Sequence, residues 1–370
     1  MMKHAKGELV ARPPSPLAGG YCSARCTRES HRAPNKVFHV NTAPAKVGAG
    51  GTAISTDQRR RLLWQMGFFV LFIVAPVFDL FRYDLTQNHA IVLGMEWRLG
   101  LDALFAGGIS GTEAAINILL RLLLPIIGGA ALFIAIAWRW GRLYCGWLCP
   151  HFSVVETINR LMRRACGKHS IWDRKTEPAK NPDGTPFRIN RWWWIPTLLL
   201  AVGFAFCWAV VLLTYLLPPA EVYGNLWKLA PTRNQAIFIG AATTVLSLEF
   251  IFARHLFCRY GCAVGLFQSL AWMSNRGAMV IGFQRHRAAD CAACHAPDGP
   301  GHAACEGVCP MRLRPRQAKA AMFACTQCGQ CIAACATVQR DQADGTLLSW
   351  IEQEAARQNE ATVSLTGRRD

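Results

Sequence analysis

Apolar residues in this chain run in blocks too long and too continuous to be one face of an amphipathic helix. Arg59, Arg60 and Arg61 precede residues 62–78, seventeen positions without a charge, interrupted only by Pro76 near the far end. Further blocks cover roughly 116–138, 192–217 and 234–253; Arg121 sits near the start of the second, placed to snorkel, and Glu249 lies close to the basic end of the last. About 20 mainly apolar residues cross a bilayer as a helix, so the pattern predicts four membrane spans, arranged as two hairpins. The twenty-nine charge-free residues from 192 to 220 argue against a buried soluble bundle. The third block is entered through Arg191-Trp-Trp-Trp-Ile195, an aromatic belt at headgroup level.

The polar stretches sort by side. Lys and Arg number eleven before Leu62, three from Asp79 to Arg121, eleven from Arg139 to Arg191, two between the third and fourth blocks, and thirteen after Ala253. Basic loops stay in the cytoplasm, which predicts both termini inside and short acidic loops in the periplasm of a bacterial inner membrane. The same sorting removes nucleic acid as a partner: the net charge of +17 is spread over membrane flanks instead of gathered on a soluble face. Residues 1–58 are rich in Pro, Gly, Ala and basic side chains without periodicity, which predicts a disordered arm with no apolar signal-peptide core. The expected domains are therefore 1–58, a membrane domain 59–275, a cysteine-rich domain 276–348, and a polar tail 349–370.

Of sixteen cysteines, all but Cys166 and Cys207 fall in C-x2-C or C-x3-C groups. Those two read as structural, and Cys22 and Cys26, a C-x3-C in the flexible arm, as incidental. Cys325, Cys328, Cys331 and Cys335 follow C-x2-C-x2-C-x3-C, the spacing of a cubane iron-sulfur site. Cys291, Cys294, Cys305 and Cys309-Pro310 supply a second set, whose gap between second and third cysteines holds ten residues instead of two. In two-cluster domains each fourth cysteine ligates the other cluster. The expected ligand sets are thus Cys291, Cys294, Cys305 and Cys335 for one [4Fe-4S] cluster, and Cys309, Cys325, Cys328 and Cys331 for the other. A zinc ribbon is the competing reading, but three cysteines within seven residues crowd a tetrahedron. His295 and His302 in the insert read as loop residues with a minor chance of ligation. The fold class that results is an all-α membrane protein bearing a small α+β ferredoxin-like domain.

A repeat accompanies the spans. The second is followed by Leu143-Tyr-Cys145-Gly-Trp-Leu-Cys149-Pro150 and the fourth by Leu256-Phe-Cys258-Arg-Tyr-Gly-Cys262. The duplication places two thiol pairs on the face that carries the clusters. On a helix, residues four apart share a side, so each pair could hold a soft ion or form a disulfide; all four could hold a third cluster, or simply be buried small side chains.

With the repeat and the eight ferredoxin cysteines together, the chain resembles the membrane polyferredoxins of the CcoG type (also FixG or RdxA), accessory proteins of cbb-type cytochrome c oxidase, and more distantly NapH and the membrane part of NosR. The resemblance runs from about Lys36 to Leu348, through Gly141–Pro150, Cys258–Ser269 and the ferredoxin motifs. It implies electron transfer through two [4Fe-4S] clusters and reduction of Cu(II) to Cu(I) for oxidase assembly, with Cys145, Cys149, Cys258 and Cys262 as copper-facing thiols and oxidase-assembly machinery or a copper transporter as partner. Ala263 stands where that family has Pro, and the further span and immunoglobulin-like domain of CcoG find no counterpart after Leu347. The NapH and NosR likeness implies a second function, a quinol-linked relay. No histidine for haem b lies inside a span: His89 falls in a periplasmic loop, His151 and His255 at the cytoplasmic edge. A redox sensor or scaffold is the third function considered.

Overall fold

The computed structural model describes residues 56–366 except 88, 174–175, 177–180, 182–184, 295–302, 341 and 343–344. The basic arm up to residue 55, with Cys22 and Cys26, and the insert holding His295 and His302 therefore lie outside the described residues.

Among the described residues, three helices are long and apolar enough to cross a membrane: α2 (Gly111–Trp140), the segment Arg191–Thr214 that contains α5 (Trp194–Thr214), and Arg233–Ala253, which begins as α6 (Arg233–Leu248). Two of them start at capping boxes. Ser110 with Glu113 opens α2 and Thr232 with Gln235 opens α6, satisfying the first free backbone N–H groups of each. Arg121, near the start of the second block, donates to the Arg98 carbonyl (2.9 Å), and Trp97 Nε1 donates to the Arg121 carbonyl (2.8 Å).

The first expected span is shorter than the sequence suggests. Helix α1 (Thr56–Val74) starts in the basic flank and stops before Pro76, so its charge-free part is only 62–74. It nevertheless reaches across the same layer as α5. At one end Arg61 and Gln65 donate to the Gly146 carbonyl; at the other, Phe72 packs on Trp208 (4.9 Å) and accepts from the Tyr215 hydroxyl (2.8 Å) at its carbonyl. Beyond it lies a small antiparallel sheet of β1 (Phe81–Asp84), β2 (His89–Val92) and β3 (Met95–Trp97), tied to the far end of α5 by Tyr83 N–H on the Tyr215 carbonyl.

The expected hairpins form only in part. Helix α5 packs along α6, but α2 packs chiefly on α7 (Ala263–Ser274), the helix after the second thiol pair. The amphipathic helix α4 (Pro150–Cys166), after the first pair, packs on α1 and α5, burying Phe152, Val155, Ile158 and Met162. Its last turn ends at Gly167 in the left-handed conformation (φ 71°) that glycine adopts without strain.

After α7 the chain builds a smaller α+β part within the same compact unit. Strand β4 (Val280–Phe283) pairs antiparallel with β5 (Leu348–Ile351), and α8 (Gln330–Val338) packs on β5. Where the sequence suggests a polar tail from 349, β5 and the following helix α9 (Gln353–Thr366) complete this domain. Ala356 of α9 is buried with Trp272, Val280 and Met322. That core joins α7 of the membrane part to the ferredoxin domain.

Candidate metal centres and the thiol repeat

Both repeats break their helix at the same point. Four residues before the first cysteine of each pair, Gly141 has φ 74° and ψ −146°, and Arg254 has φ 42° and ψ −112°. The shared break turns the chain out of the membrane helix. Glycine takes it freely, whereas an arginine there carries about 1–3 kcal/mol of local strain. Cys145 then lies in the short helix α3 (Leu143–Trp147), and Cys258 in a π-helical turn, Phe257–Gly261. The second cysteines are different: Cys149 (φ −60°, ψ 114°) and Cys262 (φ −80°, ψ 106°) are the N-caps of α4 and α7. The expectation that each pair sits four apart on one helix is corrected by this geometry; at the first pair the physical reason is Pro150, which can begin a helix but not continue one. Ala263 holds the same first position of α7, and the backbone at Cys262 matches that at Cys149.

The cap position aims backbone N–H groups at the second sulfurs: Phe152 and His151 toward Cys149, and Gly265 N–H toward Cys262 at 3.5 Å. All four pair cysteines are thiols, and they form one electrostatic group: Cys149 feels Cys145 and Cys262, and Cys258 feels Cys149 and Cys145. Burial pushes the Cys149 thiol up to about 12 and Cys258 well above its ordinary value, so metal-free they are neutral. Cys145 donates to Gln268 Oε1 at 2.9 Å.

In the ferredoxin domain, one small hollow is lined by Cys309, Cys325, Cys328 and Cys331 with Ile281, Met311, Leu313 and Met322. A second is lined by Cys291, Cys305 and Cys335 with Phe283, Leu347 and Leu348. Cys294 ends the 3-10 helix Arg285–Cys294. The donor chemistry fits iron-sulfur clusters. Leu313 N–H donates to Cys309 Sγ (3.4 Å), and backbone groups of Gln327 and Gln330 reach Cys325 and Cys328, with Gln327 (φ 48°) and Gly329 (φ 71°) in left-handed conformations that turn this loop. Burial raises Cys309 to about 11 and Cys325 to about 12, so thiolates there need a cationic group to balance them. Among the described residues no three Cys, His, Asp or Glu side chains are placed to hold a single metal ion.

The two cysteine systems touch. Cys149 and Cys258 share an apolar cluster, built on Phe152, Met311 and Leu313, with Cys309 and Cys325. The loop 325–328 lies directly on α3: a Cβ added at Gly146 would fall 2.0 Å from the Thr326 carbonyl oxygen, and one at Gly141 would fall 2.4 Å from Gln327 Nε2. Trp147 Nε1 donates to the Gln327 carbonyl at 3.0 Å. Around this contact Arg61 forms a buried ion pair with Glu156, Gln330 Nε2 donates to Glu156 Oε1 (2.6 Å), and Gln58 donates to the Cys328 carbonyl (2.9 Å). Gly146, Arg61, Glu156 and Gln327 build this contact, and the motif reading passes over them. Gly146 alone carries a sequence signal, as the residue that leaves room after Cys145.

Of the edge histidines, His255 is buried and His151 half-buried. His151 lies 3.4 Å from Glu249 and stacks near Phe250 and Phe257. Glu249 opens a π-helical turn at the end of the fourth block, and neither of its carboxylate oxygens has a hydrogen-bond partner. His255 is held down to about 4, first by burial. An unfolded chain takes up that proton near 6.5, so the stability His255 contributes is present above pH 6.5 and lost as pH falls toward 4. Thermal midpoints by circular dichroism should fall over that window, and His255→Gln should flatten the fall; an unchanged slope in the variant would exclude His255 as the cause. His89 lies in β2 beside Glu96 (3.8 Å). Cys166 bonds the Met162 carbonyl, and Cys207 sits half-buried in α5.

The 4Fe-4S binding domain family matches residues 122–169 and 234–277, the two span-and-thiol repeats, and none of the eight ferredoxin cysteines. Among curated proteins the chain is 24% identical over 219 residues to YccM of Escherichia coli (strain K12), whose name assigns it provisionally to electron transport; the match covers 57% of this chain and 55% of YccM. It is 27% identical over 201 residues to the regulatory protein NosR of Stutzerimonas stutzeri, 52% of this chain and 23% of NosR, and 28% identical over 185 residues to NosR of Pseudomonas aeruginosa, 49% and 21%. The chain thus spans about half the length of YccM and under a quarter of NosR. No solved structure matches it. The resemblance to NosR-type proteins stands on these matches: over about half its length the chain is similar to NosR and YccM, and its two span-and-thiol repeats match a 4Fe-4S binding domain.

Proposed function

We propose that the protein relays electrons between its cytoplasmic ferredoxin domain and the four repeat thiols at the membrane edge, and that its acceptor is Cu(II), reduced to Cu(I) for assembly of a cbb-type oxidase. The observation that carries the relay is the shared packing of Cys149 and Cys258 with Cys309 and Cys325. Two [4Fe-4S] clusters, held by Cys291, Cys294, Cys305 and Cys335 and by Cys309, Cys325, Cys328 and Cys331, would supply one-electron storage. The chain's own residues do the rest. Ile281, Met311 and Met322 keep water from one thiol set, the Arg61 guanidinium balances charge beside Cys328, and Gly146 lets the loop 325–328 lie against α3. Cys145, Cys149, Cys258 and Cys262 offer soft sulfur that favours Cu(I) over Cu(II), so the copper substrate takes up its electron more readily there. The membrane arrangement proposed with it has four spans, α1 included, and both termini in the cytoplasm, supported by the sorting of Lys and Arg.

Copper as acceptor rests on the CcoG resemblance. A quinol-linked relay of the NosR kind is the second reading, favoured by the NosR matches and by the Glu249–His151 pair at the membrane edge. The deciding experiment is anaerobic Cu(I) formation by the reduced protein with a chromogenic chelator. Cys145→Ser with Cys149→Ser is expected to abolish it with the cluster spectrum intact. Undiminished copper reduction after replacement of all four repeat cysteines would remove them from the reaction and favour the quinol-linked reading.

A further inference from the structure

The chain after Cys309 borders both cysteine hollows. Met311, Leu313 and Pro315 line the one that holds Cys309, Cys325, Cys328 and Cys331, and the very next residue, Arg316, lines the one that holds Cys291, Cys305 and Cys335. Arg316 is held at three points. Its Nη1 donates to Cys291 Sγ at 3.5 Å, its Nη2 donates to Glu306 Oε1 at 2.7 Å, and its carbonyl accepts from Arg285 Nη2 at 3.1 Å. Glu306 stands in the helical turn Ala304–Gly307, between Cys305 and Cys309, so this carboxylate belongs to the segment that delivers one thiol to each hollow. An ion pair that served only to fix that segment needs one edge of the guanidinium fork. The other edge is spent on a sulfur, in a hollow whose remaining walls include Phe283, Leu347 and Leu348.

We propose that Arg316 is a positioning residue of the relay: through its N–H···S bond to Cys291 it raises the reduction potential of the cluster held by Cys291, Cys294, Cys305 and Cys335, and Glu306 limits the rise. The inference rests on the reading of those four cysteines as cluster ligands. Uptake of one electron makes the ligand sulfurs more negative, and a guanidinium, which keeps its charge, stabilises that state over the oxidised one. Hydrogen bonds to sulfur and nearby net charge are among the quantities that set the potential of such clusters. Arg316 supplies the bond and a positive charge, whereas Glu306, bonded to the same guanidinium, supplies a negative one. The two residues therefore push the same centre in opposite directions. A pair that only shaped the loop would push it in one, because loss of either partner would loosen the same turn. An electron divides between neighbouring centres according to their potentials, so Arg316 biases the relay toward keeping its first electron in the hollow away from the thiol repeat.

The test is an anaerobic redox titration of the full chain with dithionite, followed by electron paramagnetic resonance, in wild type, Arg316→Met, Arg316→Lys and Glu306→Gln. The signal to follow is the one that Cys291→Ser alters. In Arg316→Met its ratio of reduced to oxidised cluster at a fixed potential should fall about tenfold, a downward midpoint shift of about 59 mV for a one-electron couple. Arg316→Lys keeps the charge without the planar fork, so its midpoint should fall by less. Glu306→Gln removes the negative charge while its amide oxygen still accepts from Arg316, so its midpoint should rise. The other cluster signal should shift less than half as far in each variant, with iron and labile sulfide at wild-type levels. An unchanged midpoint in Arg316→Met, or shifts of the same sign in Arg316→Met and Glu306→Gln, would overturn the proposal and leave the cluster reading standing. Should Arg316→Met lose the cluster, the opposite shifts of Arg316→Lys and Glu306→Gln decide in its place, and shifts of one sign there would overturn the proposal equally. A wild type without labile sulfide would overturn the cluster reading and this proposal with it.

Discussion

Gly146→Val is expected to separate the ferredoxin domain from the thiol repeat. The Thr326 carbonyl occupies the place of a Cβ at 2.0 Å, and it is backbone of the loop that carries Cys325 and Cys328, so no side-chain rotation relieves the clash. Overpacking a rigid contact costs about 3 kcal/mol, which is roughly a hundredfold in the docked population. Reduced protein should then deliver electrons to acceptor at about one per cent of the wild-type rate, with iron content unchanged. A Gly146→Val protein with wild-type turnover would mean that the contact does not carry the relay.

The second large effect belongs to the Arg61–Glu156 pair. Arg61 is 3% exposed, and Glu156 also accepts from Gln330 of the ferredoxin domain. Removing the guanidinium alone strands a buried carboxylate, which costs about 3–5 kcal/mol. Arg61→Met should therefore lower the temperature at which cluster absorbance bleaches by roughly ten degrees. Arg61→Met with Glu156→Gln should recover most of this, because the amide keeps the Gln330 contact without the charge. A double variant as unstable as the single would show that the guanidinium's packing matters, and not the pairing.

How far the sequence reveals this molecule depends on the range of the interaction. Cysteine spacing is local, and the hollow lined by Cys309, Cys325, Cys328 and Cys331 contains the four residues that the crossed assignment groups together. The duplicated Leu-aromatic-Cys-x3-Cys is likewise local, and the matched breaks at Gly141 and Arg254 extend it to the backbone. What stays hidden is long-range. Nothing in the composition of α3 says that Thr326, 180 residues on, will press against Gly146. Arg142 and Arg61 count among the basic flanks in a charge tally, yet both are buried. The alternation in Leu348-Ser-Trp-Ile351 is too short to stand out as a strand until β4 is present to pair it. At Cys149 the four-residue spacing misleads, because Pro150 starts a new helix directly after it.

The crossing of the ferredoxin cysteines is the most direct test of the account, because the relay needs the hollow nearest the thiol repeat to be a cluster site closed by Cys309. Electron paramagnetic resonance spectra of the anaerobically reduced full chain would be compared for Cys309→Ser, Cys325→Ser, Cys335→Ser and Cys291→Ser. The account predicts that Cys309→Ser alters the same cluster signal as Cys325→Ser, and Cys335→Ser the same signal as Cys291→Ser. Grouping of Cys309 with Cys291, or zinc with no labile sulfide in the wild type, would contradict it.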